Sequence, residues 1–213
     1  MWAAQQALLP GRSYAPTLYA MGDRIEHWAT AALERVAGDR LIVVGCSIGG
    51  SCAVEVARIA PHRVAAVVLI GTKVEHRPEP GLHAAAVEML REQGIAAAWQ
   101  RYWAPLFSPA AERKVLAAAE RIAFAQSSEA LKNGVTAFHT RPSRMDYLAN
   151  ATCPIVFVTG ADDVAPGPAT NATQAATAAS GSLHVIAHCG HYVPMERPAE
   201  LNAILRNVMA AAS

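Results

Sequence analysis

The fold is decided by one stretch, Gly45-Cys46-Ser47-Ile48-Gly49-Gly50. It follows an apolar run at residues 41–44 and precedes a helical pattern at residues 50–60. A Gly-x-Ser-x-Gly motif between a strand and a helix predicts a sharp turn that strains the serine backbone and exposes its Oγ. We expect glycine at positions 45 and 49 because a Cβ there would collide with the neighbouring strand and helix. The N–H of Ile48, at a helix N-terminus, is expected to attract negative charge.

Strands and helices alternate on both sides of this turn. Residues 64–70 form a continuous apolar run, which predicts a strand buried on both faces. Two more strands are predicted at residues 154–160 and 182–186. Helices are predicted at residues 22–38, 50–60 and about 169–179, and from Pro198 onward. This alternation predicts an α/β fold with a mostly parallel sheet and right-handed crossovers.

The strand pattern disappears between residues 73 and 152. Prolines there separate five stretches with helical periodicity, at residues 82–93, 95–104, 110–126, 129–139 and 143–150. We therefore predict an α/β core made of residues 1–72 and 153–213, with residues 73–152 inserted as an all-helical cap. The cap aromatics Trp99, Trp103, Phe107 and Phe124 are expected mainly to form its own core, with some reaching the roof of a pocket.

Composition limits the classes of function. A chain of 213 residues with 53% hydrophobic residues is long enough for one domain with a substantial core. A formal charge of +1 gives no electrostatic reason to expect a nucleic acid or an anionic membrane as partner. No apolar run approaches the roughly 20 residues of a membrane-spanning helix, and the N-terminus lacks the pattern of a signal peptide. The four cysteines show no metal-ligand spacing. We expect a cytoplasmic protein without metal or cofactor.

Three polar residues follow predicted strand ends. A serine hydroxyl becomes a nucleophile when a base removes its proton and a carboxylate orients that base. Ser47, Asp163 and His191 each stand just past the carboxyl end of a predicted strand, where catalytic groups gather in open α/β sheets. The sequence therefore predicts a nucleophile, acid and base in the order Ser, Asp, His.

Other aspartates and histidines of the sequence compete with Asp163 and His191 for the roles of acid and base. Asp163 is favoured because it stands three residues beyond Gly160, while Asp162 stays open as the alternative acid or as a solvated turn residue. Among the eight histidines, only His191 combines a preceding glycine, a loop after the last strand and a helix soon after.

At these residues the sequence resembles the α/β-hydrolase superfamily. Its three signatures are matched by residues 45–50, by Gly160-Ala161-Asp162-Asp163 and by residues 190–198. The stretch from Ala137 to Pro154 resembles the cap of the branch that contains 3-oxoadipate enol-lactonases and C–C hydrolases. The resemblance implies cofactor-free hydrolysis of esters, lactones or vinylogous C–C bonds. A serine nucleophile argues against the dehalogenase and epoxide-hydrolase branches, which use aspartate.

The beginning of the chain departs from this family. Members carry three strands and a His-Gly motif ahead of the segment that begins here, and residues 12–18 resemble the end of their fourth strand. We therefore expect a chain that is truncated at its N-terminus relative to the family. A rearranged minimal sheet, or a sheet completed by a second chain, are the alternatives. An open sheet edge also favours self-association into a homo-oligomer. Ile48 N–H supplies one oxyanion donor, and the usual second donor is not identifiable.

The leading functional hypothesis is a serine hydrolase of small esters or lactones. Ser47 would attack the carbonyl, His191 would transfer the proton, Asp163 would orient His191 and Ile48 N–H would bind the oxyanion. Two alternatives remain open. One is a catalytically impaired ligand-binding protein, suggested by the missing second oxyanion donor. The other is an acyltransferase that uses the same triad with an acceptor other than water.

Overall fold

The computed structural model describes residues 1–212, which contain one parallel four-stranded sheet. The strands are β1 (Leu41–Cys46), β2 (Val64–Ile70), β3 (Ile155–Gly160) and β4 (Gly181–Ile186). They lie side by side in chain order, and each pairs in parallel with the next. The predicted strand positions and the α/β class with a parallel sheet are confirmed.

Helices cover both faces of the sheet and fill the segment between β2 and β3. Outside that segment they are α1 (Ala3–Gln6), α2 (Ile25–Leu33), α3 (Ile48–Ile59), α9 (Gly167–Thr177), α10 (Val193–Glu196) and α11 (Pro198–Ala211). Between β2 and β3 they are α4 (Pro80–Glu92), α5 (Gly94–Ala98), α6 (Arg113–Phe124), α7 (Ser128–Thr140) and α8 (Met145–Asn150). Within residues 1–212, no helix is both long and apolar enough to cross a membrane.

Two predicted elements differ from the structure. The stretch predicted as one helix at residues 95–104 divides into α5, a π-helical turn at Trp99–Trp103 and a 3-10 turn at Ala104–Leu106. Pro105 explains the break, because proline has no N–H to continue a helical ladder. Residues 12–17, which resemble the end of a strand, form no strand and lead into a 3-10 turn at Leu18–Met21.

The sheet separates two hydrophobic cores. Side chains of β2 alternate between them: Val67 and Leu69 pack with α2 and α3, whereas Val68 and Ile70 pack toward α11. Every residue of β3 is buried, which explains why a central parallel strand reads as a continuous apolar run. The four residues Leu41–Val44 of β1 are only half-buried, because this strand lies at one edge of the sheet within residues 1–212.

Val74, four residues after β2, and Arg144, just before α8, lie together. The side chain of Gln174 accepts a hydrogen bond from Val74 N–H (2.6 Å) and donates one to Thr72 O (2.9 Å). Arg144 N–H donates to Val74 O at 3.2 Å, and the Arg144 guanidinium pairs with the fully buried carboxylate of Glu55 in α3. These contacts join Val74 to Arg144 and tie them to α9 through Gln174 and to α3 through Glu55.

A third, small hydrophobic cluster lies within this helical segment. Trp99, Phe107 and Ala119 are buried together. The ring of Phe107 lies 4.6 Å from that of Tyr192, so the cluster also contacts the loop that carries His191. Phe124 is 43% exposed and lies outside the cluster.

Candidate active site

Ser47 occupies a strained turn between β1 and α3. Its φ of 55° and ψ of −124° lie outside the usual regions for a residue with a side chain. Such a conformation costs about 1–3 kcal/mol and persists only where its surroundings impose it. Here Ser47 N–H donates to Ile70 O at 2.8 Å, and the Thr72 hydroxyl donates to Ser47 O at 3.2 Å. The predicted turn is therefore present, and the end of β2 holds it.

The steric need for glycine falls at positions 45 and 50. A Cβ on Gly45 would lie 2.2 Å from the carbonyl oxygen of Gly49, and one on Gly50 would lie 1.9 Å from Thr72 Oγ1. A Cβ on Gly49 would meet only the Leu18 side chain, at 3.8 Å. The expectation for Gly45 is confirmed, but the expectation for Gly49 is wrong, because the first turn of α3 directs residue 50 toward β2.

Asp163 and His191 form a buried pair. Nδ1 of His191 lies 3.1 Å from Asp163 Oδ1 and 3.3 Å from Oδ2, and both residues are less than 5% exposed. Since a carboxylate only accepts hydrogen bonds, Nδ1 carries the proton and Nε2 is left as the acceptor. This is the tautomer that a general base for a hydroxyl requires.

The Asp163 carboxylate is held from several directions. It also accepts hydrogen bonds from Ala165 N–H (2.8 Å) and from the Thr159 hydroxyl (3.3 Å). Burial acts to raise the pKa of Asp163, but these hydrogen bonds and the His191 imidazole outweigh burial, so that the pKa lies below its ordinary value. Asp163 is therefore an ionised acceptor at neutral pH.

Asp162 serves a different contact. Its Oδ2 accepts a hydrogen bond from the Ser108 hydroxyl at 2.5 Å, and its N–H donates to Cys189 O at 2.9 Å. The two adjacent aspartates thus point to different partners. Only the carboxylate of Asp163 contacts the imidazole, and Asp162 links the helical segment to the sheet.

Gly71 connects the Ser47 turn with the His191 pair. It follows Ile70, which binds Ser47 N–H, and its φ is +53°. A Cβ on Gly71 would lie 2.8 Å from His191 Nδ1 and 3.1 Å from Asp163 Oδ2. Asp163 and His191 therefore meet at the carboxyl end of the sheet, and Gly71 lies between this pair and the residue that binds Ser47 N–H.

Glu196 is a site residue that the sequence reasoning missed. Its carboxylate is 5% exposed and accepts hydrogen bonds from three N–H groups, those of Ser108 (3.0 Å), Gly190 (2.9 Å) and Tyr192 (3.0 Å). These bonds fix the backbone on both sides of His191. The available signal was a single acidic residue in the otherwise apolar stretch 192–196, five residues after His191.

A cavity of about 260 Å³ opens beside Ser47. Ser47 and Ile48 line it, and the N–H of Ile48 belongs to the first turn of α3, where N–H groups lack partners within the helix. The other lining residues are Ser51, Gly71, Lys73, Phe138, Arg141, Ala165 and Pro166. Within residues 1–212, no group of three or more His, Cys, Asp or Glu side chains could hold a metal ion.

Comparison with known proteins places the chain in a family. The profile of the alpha/beta hydrolase family matches residues 1–204. The chain therefore belongs to the alpha/beta hydrolase family, and the resemblance to this superfamily is confirmed.

Individual relatives include esterases and a lactonase. A stretch of 64 residues, 30% of this chain, is 44% identical to the pimeloyl-[acyl-carrier protein] methyl ester esterase of Aromatoleum aromaticum and spans only 24% of that protein. A thermophilic esterase from Thermogutta terrifontis, solved with malate bound, superposes with a TM-score of 0.85 at 19% identity, over 99% of this chain and 85% of its own. The enol-lactonase of Burkholderia xenovorans LB400 has a TM-score of 0.81 at 20% identity, over 98% and 85%.

Proposed function

We propose that this chain is a serine hydrolase that cleaves small esters or lactones. The observation that supports this most is the strained Ser47 turn beside a buried His191–Asp163 pair, with Gly71 in contact with that pair and following the residue that binds Ser47 N–H. The esterase and lactonase relatives favour the same bond type.

The proposed mechanism assigns each residue one step. Ser47 Oγ attacks the carbonyl carbon while Nε2 of His191 removes the hydroxyl proton, which gives a tetrahedral oxyanion. Ile48 N–H donates to that oxyanion. The imidazolium, held by the ionised Asp163, then returns the proton to the leaving alcohol and leaves an acyl-enzyme at Ser47. Water, activated by the same imidazole, releases the acid.

Covalent labelling tests this proposal. A fluorophosphonate probe should phosphonylate Ser47 in the folded protein, and peptide mass spectrometry locates the adduct. Ser47→Ala should remove labelling and turnover of p-nitrophenyl acetate. Ser51→Ala is the matched control, because Ser51 lines the same cavity from the second turn of α3 and should leave labelling intact. Labelling that survives in Ser47→Ala would refute the assignment.

The alternatives from the sequence give different results in the same assays. An acyltransferase would form more transfer product than free acid when an alcohol acceptor is added. An impaired binding protein would take up an acid ligand without Ser47-dependent turnover. We retain hydrolysis because the strained Ser47 turn and the buried His191–Asp163 pair both adjoin Gly71, and because the relatives include esterases and a lactonase.

The proposal extends to assembly, location and the role of the helical segment. The half-buried edge of β1 favours pairing with a second copy of the chain, and light scattering coupled to gel filtration would report a dimer. The four cysteines are buried free thiols, which is usual for proteins of a reducing compartment such as the cytoplasm. Residues 73–152 are proposed to act as the cap over Ser47, since Lys73, Phe138 and Arg141 line its cavity.

A further inference from the structure

Arg141 is a buried cation without an anionic partner. It follows the last residue of α7 and is only 5% exposed. Its Nη1 donates to Phe138 O, and the guanidinium lies 4.2 Å from the centroid of the Phe138 ring. Its Nε is buried and has no hydrogen-bond partner. No carboxylate within residues 1–212 lies within 4 Å of this guanidinium.

Burying the Arg141 guanidinium without an anion lowers the stability of the folded protein unless a ligand binds to it. Buried charges in folded proteins are normally paired, because removing them from water is expensive. The contrast with Arg144 is informative: three residues away, it pairs with Glu55. Burial lowers the pKa of Arg141 to about 10, which still leaves the side chain cationic at neutral pH. Arg141 is therefore a positive charge without an anionic partner at neutral pH.

Arg141 faces the same cavity as Ser47. Lys73, which is exposed and also lacks a carboxylate partner within residues 1–212, lies on that cavity as well. Both cations act on neighbouring histidines. The pKa of His76 is lowered by burial first, and then by the charges of Arg141 and Lys73. The pKa of His139 is lowered by burial, and Arg141 again contributes. The cavity thus combines a nucleophile at one position with positive charge at another.

We propose that the cavity selects esters or lactones that carry a free carboxylate in addition to the bond that is cleaved, and that Arg141 binds this carboxylate with help from Lys73. This inference rests on the proposed hydrolase function and names its substrate class. The carboxylate would accept hydrogen bonds from the unpartnered Nε and the neighbouring guanidinium N–H, a geometry that arginine is suited to. The ester carbonyl would then lie at Ser47 and Ile48. A volume of about 260 Å³ favours a short acyl chain.

Matched substrates test the selectivity. Monomethyl glutarate carries the free carboxylate, and dimethyl glutarate has the same skeleton without the charge; both release methanol, which a coupled oxidase assay measures. The wild-type kcat/KM should be about 10- to 100-fold higher for the monoester, the range of one charged hydrogen-bonded contact. Arg141→Met should remove this preference, so that the ratio of the two kcat/KM values falls to within about threefold of one. Lys73→Met should reduce the preference by about threefold, since exposed charges contribute little.

Two controls separate ligand binding from structure. Arg121→Met removes the same charge from an exposed position of α6 and should leave the preference unchanged. The melting temperature of ligand-free Arg141→Met should equal or exceed that of the wild type, because an unpaired buried charge has been removed. If this variant does not fold, Arg141→Lys should keep the charge and lose most of the preference, because an ammonium cannot bind a carboxylate bidentately.

A binding assay keeps this inference distinct from the proposed function. In Ser47→Ala, glutarate should bind measurably by calorimetry, and Arg141→Met should weaken that binding by 10-fold or more. Ser47-dependent turnover with no preference for the monoester would overturn the carboxylate inference and leave the hydrolase proposal standing. Binding of glutarate without turnover of either ester would support the carboxylate site and refute the hydrolase proposal. Absence of both would refute both.

Discussion

The polar side chains on the two sides of the Ser47 site differ in how completely they are hydrogen-bonded. On the sheet side, Asp163 accepts hydrogen bonds from His191, Ala165 and Thr159, and Glu196 accepts three backbone N–H groups. On the cap side, Arg141 has a buried Nε without a partner. Buried polar groups in native proteins are normally satisfied, so each exception calls for an explanation. Asp163 and Glu196 are thus hydrogen-bonded from several directions beside His191, whereas Arg141 is the exception for which we propose a ligand carboxylate.

The largest expected effect comes from replacing Asp163, the carboxylate that binds His191 on the sheet side of the site. Asp163→Asn should lower kcat about 10⁴-fold, because the amide no longer fixes the His191 tautomer or stabilises the imidazolium. Asp162→Asn is the matched control, since Asp162 binds Ser108 instead, and its loss should stay below about 10-fold. Ester hydrolysis at saturating substrate measures both. Equal losses in the two variants would contradict the assignment of Asp163.

Substitutions at two adjacent glycines, Gly49 and Gly50, test how the first turn of α3 packs against the residues that follow β2. Gly50→Ala places a Cβ against Thr72 and should lower the free energy of unfolding by about 3 kcal/mol, the upper range for overpacking. Gly49→Ala meets only the Leu18 side chain, at an ordinary contact distance of 3.8 Å, and should raise stability by about 0.5 kcal/mol, because alanine favours helices over glycine. Urea denaturation compares them. The reverse order would mean that α3 does not pack on β2 as described.

A substitution at Glu196 tests whether the three hydrogen bonds that its carboxylate accepts hold His191 in position. Glu196→Gln replaces one acceptor oxygen by an NH₂ group that faces a backbone N–H, so stability should fall by about 2 kcal/mol. We expect kcat to fall more than KM rises, because the His191 loop would move relative to Ser47, whereas the three N–H groups bound by Glu196 belong to residues that do not line the Ser47 cavity. The control is Glu200→Gln, an exposed position of α11. A stability loss without any change in kcat would restrict Glu196 to a structural role.

The smallest effect is a pH dependence from Asp163. Because the pKa of Asp163 is lower in the folded protein than its ordinary value, its contribution to stability is complete above the unfolded pKa of about 3.9. It is lost as the pH falls through the lower, folded pKa. The stability difference between wild type and Asp163→Asn should therefore shrink below about pH 4, which urea midpoints between pH 3 and 6 would measure. A difference that grows on acidification would contradict the lowered pKa.

Local patterns were enough to predict the frame of this site. The strand, glycine-flanked serine and helix around Ser47 follow from residues near one another in the sequence, and the parallel strands then place Asp163 and His191 at the same sheet edge. What the patterns left out depends on distant neighbours. Gly50 rather than Gly49 is the tight position because Thr72, on another strand end, lies against it. No local signal shows that Glu196 binds Ser108, 88 residues away.

The same limit explains Arg141. In the sequence it is one of two arginines within four residues, Arg141 and Arg144, and nothing nearby distinguishes them. The fold supplies the difference: Arg144 reaches Glu55 of α3, and Arg141 turns toward Phe138 and the cavity. Whether a charge has a partner is a tertiary property, and the sequence alone could not separate a structural arginine from one available to a ligand.

The hydrogen bond between Arg144 N–H and Val74 O has a further consequence for engineering. Because Val74 and Arg144 are hydrogen-bonded to each other, a tight turn between them could replace the helices α4 to α7 without displacing β2 or α8, which leads on to β3. The helices between them are then an exchangeable module. A module grafted at this junction would change which molecules reach Ser47, provided that it keeps the contacts that Leu106 and Ser108 make with His191 and Glu196.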